Sequence, residues 1–274
     1  MWLQVEQIMV KTIEIGTLDE ALHLLKEQES VQEIDRYRSP FYYRGMPDSR
    51  FRLETTLERN CKTLKKELEP ALLRSFTKFA VNDDPRIAES VWRQLIIGRH
   101  HGLPTRLLDW SHSPLIALHF ATSGEGFETL DRHDGVIWRI DRRELYSLLP
   151  DKYRAVLDRE QAFVYTVDML NEVVADLNQY DEDMGTGAMV LVEPPSMDTR
   201  IINQYGNFTV IPSSMNDVED FFEDHTENTV RYIIKAEIRW RIRDMLDQLN
   251  INERLVYPGL DGLSESLARH YFVR

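Results

Sequence analysis

His100-His-Gly-Leu-Pro-Thr-Arg-Leu-Leu-Asp-Trp110 leads straight into Ser111-His-Ser-Pro-Leu-Ile-Ala-Leu-His-Phe-Ala121. Gly102 and Pro104 stop the helix before them, and a residue ahead of proline is driven to extended backbone, so an extended loop is predicted there. Ser113 and Pro114 then open a helix, the serine as cap and the proline at the first helical position, ending at Gly124. An ordinary connection needs turn residues and little else. This one carries two histidines, an arginine, an aspartate and a tryptophan beside Leu107 and Leu108, the side chains of a site.

Outward from that stretch, Val10–Ile15 alternates like a strand. Thr17-Leu-Asp-Glu20 reads as a capping box opening a helix through about Glu29. Phe41–Gly45 is a short aromatic strand, and helices are predicted near residues 53–80 and from Pro85 to Arg99. Asp134–Ile140 is a turn and strand, and Asp141 caps the next helix. Residues 160–180 look helical and 181–187 read as a mobile loop. Arg200–Pro212, rich in β-branched and aromatic residues, reads as a strand made irregular by Gly206. Arg231–Ile238 is a further strand, followed by a helix over Arg239–Leu249 and a short helix after Pro258-Gly259. Helices mixed with short, unevenly spaced strands imply an α+β fold, with a mixed or split β-sheet core and flanking helices. With no internal repeat or linker composition, residues 1–274 are expected to form a single domain. Its motif-bearing core covers about 30–212, with a strand–helix segment over 213–274 packed on it.

The chain has 274 residues, 42% of them hydrophobic, enough for a substantial core. No run of about 18 apolar residues is present, and Met1–Glu6 lack the basic start of a signal peptide, so no membrane association and a cytoplasmic location are expected. Cys61 is the single cysteine, which excludes an internal disulfide framework. A net charge of −13 disfavours loose attraction to DNA or anionic membranes. That charge is uneven: Arg36, Arg38, Arg44, Arg50, Arg52 and Arg59 cluster early, whereas 217–227 holds acids with no Lys or Arg. Such a distribution suits a small anionic ligand held locally, and solvated surface charge is the alternative.

No Rossmann glycine fingerprint, Walker loop, zinc-protease helix or serine nucleophile elbow occurs. His100, His101, His112 and His119 do not have zinc-ligand spacing, so no metal is expected. In Tyr43-Arg44-Gly45, the arginine can hold phosphate or carboxylate through a forked pair of hydrogen bonds, and the glycine admits a ligand or another backbone. A structural salt bridge from Arg44 to Asp109 is the alternative. Thr105, Arg106 and Asp109 either face a pocket or leave Arg106 and Asp109 paired, pinning the loop. In Gln204-Tyr-Gly-Asn-Phe208, an amide beside aromatic rings offers edge hydrogen bonds and a stacking face to a planar base or carboxamide. An edge-strand bulge would explain the same residues. His101 with Asp109 is also available as the acid–base pair of a hydrolase.

Taken together, Tyr-Arg-Gly at 43–45, His-Gly-Leu-Pro-Thr-Arg-Leu-Leu-Asp-Trp at 101–110, Ser-Pro-Leu-Ile-Ala-Leu-His-Phe-Ala at 113–121 and Arg-Ile-Ile-Asn-Gln-Tyr-Gly-Asn-Phe-Thr at 200–209 resemble the FRG-domain family of bacterial and phage proteins. Tyr43 stands where that family's name has phenylalanine, and Tyr257-Pro-Gly-Leu-Asp-Gly262 is similar to the ending of such chains. The order of segments also resembles that of ADP-ribosyltransferases. That resemblance implies an NAD-dependent transferase acting on a macromolecular target, protein or nucleic acid, with a toxin or anti-phage role. It implies that Arg44 grips the pyrophosphate or adenosine ribose of NAD and that Tyr43 or Tyr205 stacks on nicotinamide. Gly45, His101, Thr105, Arg106 and Asp109 would shape the pocket. Gln204 occupies the place of a catalytic glutamate, and losing that charge would cost roughly 10²–10³ in rate. Asp261 or Asp109 would then supply the carboxylate after folding; a noncatalytic nucleotide- or protein-binding module is the alternative.

Overall fold

The computed structural model describes residues 10–124, 126–196 and 199–273. Met1–Glu6, read above for a signal peptide, lie outside the described residues. In chain order the elements are β1 (Lys11–Ile15), α1 (Leu18–His23), β2 (Glu29–Val31), β3 (Arg36–Arg38), β4 (Phe41–Met46), α2 (Thr56–Cys61), α3 (Lys65–Ala80) and α4 (Val91–His100). They continue with β5 (Leu107–Ser111), α5 (Pro114–Ala121), β6 (Gly135–Asp141), α6 (Arg142–Leu148), α7 (Asp151–Glu160), α8 (Val167–Val173) and α9 (Leu177–Met184). The last are β7 (Leu191–Val192), α10 (Thr199–Gln204), β8 (Gly206–Val210), α11 (Val218–His225), β9 (Val230–Ile234), α12 (Arg239–Gln248), α13 (Glu253–Val256) and α14 (Leu260–His270).

Seven strands form one mixed sheet in the order β1-β9-β6-β4-β5-β8-β7, and β2 and β3 form a separate ribbon. The β1–β9 pair is parallel and the others are antiparallel. The fold is therefore α+β with a mixed sheet and flanking helices. β4 pairs with β6 along all of Phe41–Met46, but meets β5 only where Tyr43 faces Ser111. The sheet thus opens at a seam between β4 and β5. Residues from 213 onward do more than pack on a finished core, because β9 lies inside the sheet between β1 and β6.

Burial explains the layers. Tyr42, Leu108, Trp110, Val136 and Trp138 pack with Phe221 and Phe222 of α11 in one core. Tyr43, Ile137 and Tyr232 pack in a second with Ala117 and Leu118 of α5 and Ile242 of α12. Leu107, Phe208 and Val210 join a third with Trp92 and Leu95 of α4, Leu157 of α7 and Tyr180 of α9. The second and third cores stand on either side of the seam. Helix α5 lies unusually close to the sheet: a Cβ on Gly45 would sit 1.9 Å from the Ala117 carbonyl oxygen, and one on Gly135 would sit 2.2 Å from that of Ala121. The backbone that Gly45 admits is this helix.

Several expectations need correction. Residues 107–111 are a strand, not a loop: Leu107 enters one core while Leu108 and Trp110 enter another, which hides the two-residue alternation. Thr199–Gln204 is helical, and the strand begins only at Gly206. The break is Tyr205 in the left-handed region at φ 47. Helix α1 gives way to a 3₁₀ turn at Leu24–Lys26 and β2 starts at Glu29, although the Thr17–Glu20 capping box forms as expected. Ser90 caps α4, so the helix begins after the region of Pro85. Residues 160–180 hold α8 and the start of α9, and α9 runs through Asp181 to Met184 where a loop was expected. Ser113 makes no capping bond with its side chain; the Ser111 hydroxyl accepts from Ser113 N–H instead. Among the described residues no helix is long and apolar enough to cross a membrane.

Candidate functional site

A cleft of about 610 Å³ occupies the seam. One lip is β4 with Tyr43, Arg44 and Gly45, backed by Ile116 and Phe120 of α5. The opposite lip carries Arg99 at the end of α4, Asp109 of β5, Gln204 of α10 and Phe208 of β8, and Tyr257 closes one side.

Asp109 divides its bonds unequally. Arg99 holds its carboxylate from Nε at 3.1 Å to each oxygen and also donates from Nη2. Arg44 Nη1 donates at 2.9 Å to the Asp109 main-chain carbonyl and only at 3.3 Å to the carboxylate. Desolvation alone would raise the Asp109 carboxyl, but Arg99 and then Arg44 outweigh it and hold it below the ordinary aspartate value. Arg44 is left with donors to spare: its Nε–H is buried without a partner. Burial lowers its guanidinium from the usual value, with Asp109 opposing. A part-buried guanidinium bonded at 2.9 Å to a neutral carbonyl, and more loosely to a carboxylate that Arg99 already holds, keeps donor capacity for an incoming anion.

The remaining groups suit a ring. Arg200 lies over the Tyr257 ring with its guanidinium carbon 5.0 Å from the centroid, and Phe120 meets that ring edge-on. Gln204 Nε2 donates to the Val256 carbonyl, while its main-chain carbonyl accepts from Ser111 Oγ, so its amide is tied across the cleft wall. Behind α5, Arg243 donates to His119 Nδ1 at 2.8 Å, which fixes the neutral ring with its proton on Nε2. Burial, then Arg243, pushes this histidine well below its ordinary value. Buried Arg243, Glu253 and Arg269, with part-exposed Asp247 at the edge, form a network that seats α13 and α14 against α12.

Of the residues expected to make a site, Tyr43, Arg44, Gly45, His101, Asp109 and Gln204 line this one cleft. Tyr43 is nearly covered and its hydroxyl donates to Glu27, so it is a wall more than a free stacking face. Thr105, Arg106, Tyr205 and Asp261 do not line the cleft. Thr105 is fully buried, its N–H donating to Thr56 Oγ1. Arg106 pairs with Glu69 at 2.9 Å and Asp181 at 2.6 Å, not with Asp109, and binds α3 to α9. Tyr205 is exposed at the end of α10, and Asp261 is exposed in the first turn of α14. Phe208 of the Gln204–Phe208 stretch lines the cleft, as do Arg99, Phe120, Arg200 and Tyr257, to which the sequence assigned no role. Three of them bordered the quoted motifs: Arg99 precedes His100, Arg200 opens the 200–209 run and Tyr257 opens the final one. Their convergence depends on a sheet order that no local pattern encodes.

Fold and site together define an α+β protein with a cleft, lined by Arg44, Arg99 and Arg200, at the seam of a mixed sheet. Residues 39–128 match the family model described as FRG domain, which supports that family for the segment from β4 through α5. No curated protein and no solved structure matches the chain.

Proposed function

We propose that the seam cleft receives a nucleotide of the NAD type, and that the chain acts as an ADP-ribosyltransferase-like protein on a macromolecular target. The observation that carries this reading is Arg44, a part-buried guanidinium bonded mainly to a main-chain carbonyl and left with a buried, unpaired Nε–H. Arg44 and Arg200 would meet the phosphates, and Tyr257 and Phe208 would offer aromatic surface to a planar ring. Among the described residues lining the cleft, Asp109 is the one carboxylate, so it takes the place expected of a glutamate. NAD is the substrate in this reading: the ADP-ribosyl group passes to the target and nicotinamide leaves.

One observation favours a second reading, binding without turnover. Gln204 is neutral, and Asp109 is already held by Arg99 at two oxygens. Calorimetry with NAD and with ADP-ribose, followed by mass analysis for free nicotinamide, separates the two. Binding with nicotinamide release is expected of the transferase, and binding of both ligands without release identifies the module. Folded protein that binds neither ligand defeats both readings.

A further inference from the structure

A second cavity, of about 560 Å³, lies away from the seam between α3, α4 and α9. Lys66, Arg74 and Lys78 stand on one face of α3 and line it, all exposed. At a rise of about 1.5 Å per residue, the three cations spread over roughly 18 Å of helix axis. Among the described residues none of them forms an ion pair, whereas Glu69 and Asp181 in the same cavity are both taken by the buried Arg106. Asp176, on the opposite wall, spends its carboxylate capping α9 through the N–H groups of Asn178 and Gln179. The floor is apolar, made by Pro70, Leu73, Val91 and Leu177. Among the described residues the lining carries four cations, Lys66, Arg74, Lys78 and Arg106, against the three carboxylates Glu69, Asp176 and Asp181, so in a chain of net charge −13 it is slightly positive, with its unpaired cations gathered along the α3 wall.

The geometry points to a docking groove for an acidic amphipathic helix of a partner protein. Its apolar face would cover Leu73, Val91 and Leu177, and its carboxylates would meet Lys66, Arg74 and Lys78. The spacing of eight and four residues on α3 selects acids at i, i+4 and i+12 on an antiparallel guest, or at i, i+8 and i+12 on a parallel one. A concave apolar floor suits a helix better than a lipid surface, which needs a convex or flat contact.

The test uses the full chain and a labelled 16-residue helical peptide with glutamate at i, i+4, i+8 and i+12 and leucine on the adjoining face. Fluorescence anisotropy should show saturable binding, weakened at least about tenfold by K66E/R74E/K78E and by replacing the peptide's glutamates with glutamine. A second variant, Leu177→Asp, should weaken binding without altering α3's charge, and circular dichroism checks that both variants fold. No binding to folded wild-type protein overturns the proposal. So does equal binding of the glutamine peptide. Binding of phosphatidylserine vesicles or single-stranded oligonucleotide in place of the peptide, lost in the triple variant, also overturns it and assigns the groove to those ligands.

Discussion

Arg44 and Asp109 stand 65 residues apart in sequence and meet at the seam. Because Arg99 satisfies the carboxylate, Arg44 is anchored by a carbonyl and keeps donors in reserve. Replacing Arg44 with glutamine should weaken binding of NAD or ADP-ribose about 30-fold or more, roughly 2 kcal/mol, with little change in melting temperature; calorimetry and a thermal melt check both. His119 gives a pH signature of different origin. Its folded value is depressed well below 6.5, so its contribution to stability is complete above the unfolded value and declines as pH falls below it. Between about pH 6.5 and 5 the melting temperature should drop, by up to about 1.4 kcal/mol of stability per pH unit. His119→Gln should flatten that slope, and thermal melts across this range measure it. Asp109 behaves oppositely in range: held below 3.8, its pairing persists through the neutral and mildly acid region.

Helix α5 sets the architecture of one lip through two glycines. A methyl group at Gly45 would overlap the Ala117 carbonyl and the Ala121 N–H together, and backbone cannot yield as a flexible side chain does. Gly45→Ala should destabilise the protein by about 3 kcal/mol or more, read by urea denaturation. A variant as stable as wild type would mean that α5 can lift from β4. Much at this scale was legible in sequence. The aromatic strand β4, the Thr17–Glu20 capping box, the Asp141 cap and helix α12 all carry local signals of cap chemistry or period. Two elements that matter most to the site were not. β5 is buried on both faces, and its polar residues mimic a loop. α10 has a β-branched sequence, yet Asn203 and Gln204 donate to the carbonyls of Leu255 and Val256, 52 residues later. Tertiary contacts there override local propensity.

At the scale of the molecule, the candidate cleft depends on elements gathered from the whole chain, while stability is concentrated elsewhere. The buried Glu69–Arg106–Asp181 cluster ties α3, β5's approach and α9 together outside the seam. Removing Arg106 strands two buried carboxylates, so Arg106→Ala should cost about 3–5 kcal/mol in chemical denaturation. The fraction that remains folded should bind NAD with wild-type affinity, because Arg106 does not reach the cleft. Loss of affinity without loss of stability would return Arg106 to the site. Sequence grouped Arg106 with Asp109 because they are three residues apart, but neighbouring strand positions face opposite ways and successive residues serve different cores.

The solitary bridge between Tyr43 and Ser111 also bears on how the chain can be divided. The polypeptide passes from β4 to β5 across the opening, returns from β5 to β6, goes over again from β6 to β7 and comes back from β8 to β9. No single cut in the polypeptide releases one half of the sheet from the other. The segment 39–128 holds both rims, β4 and β5, but neither β6 nor β8, which complete them. The halves therefore cannot be traded between chains as contiguous cassettes. What can vary without dismantling a sheet is the set of loops and side chains along the gap.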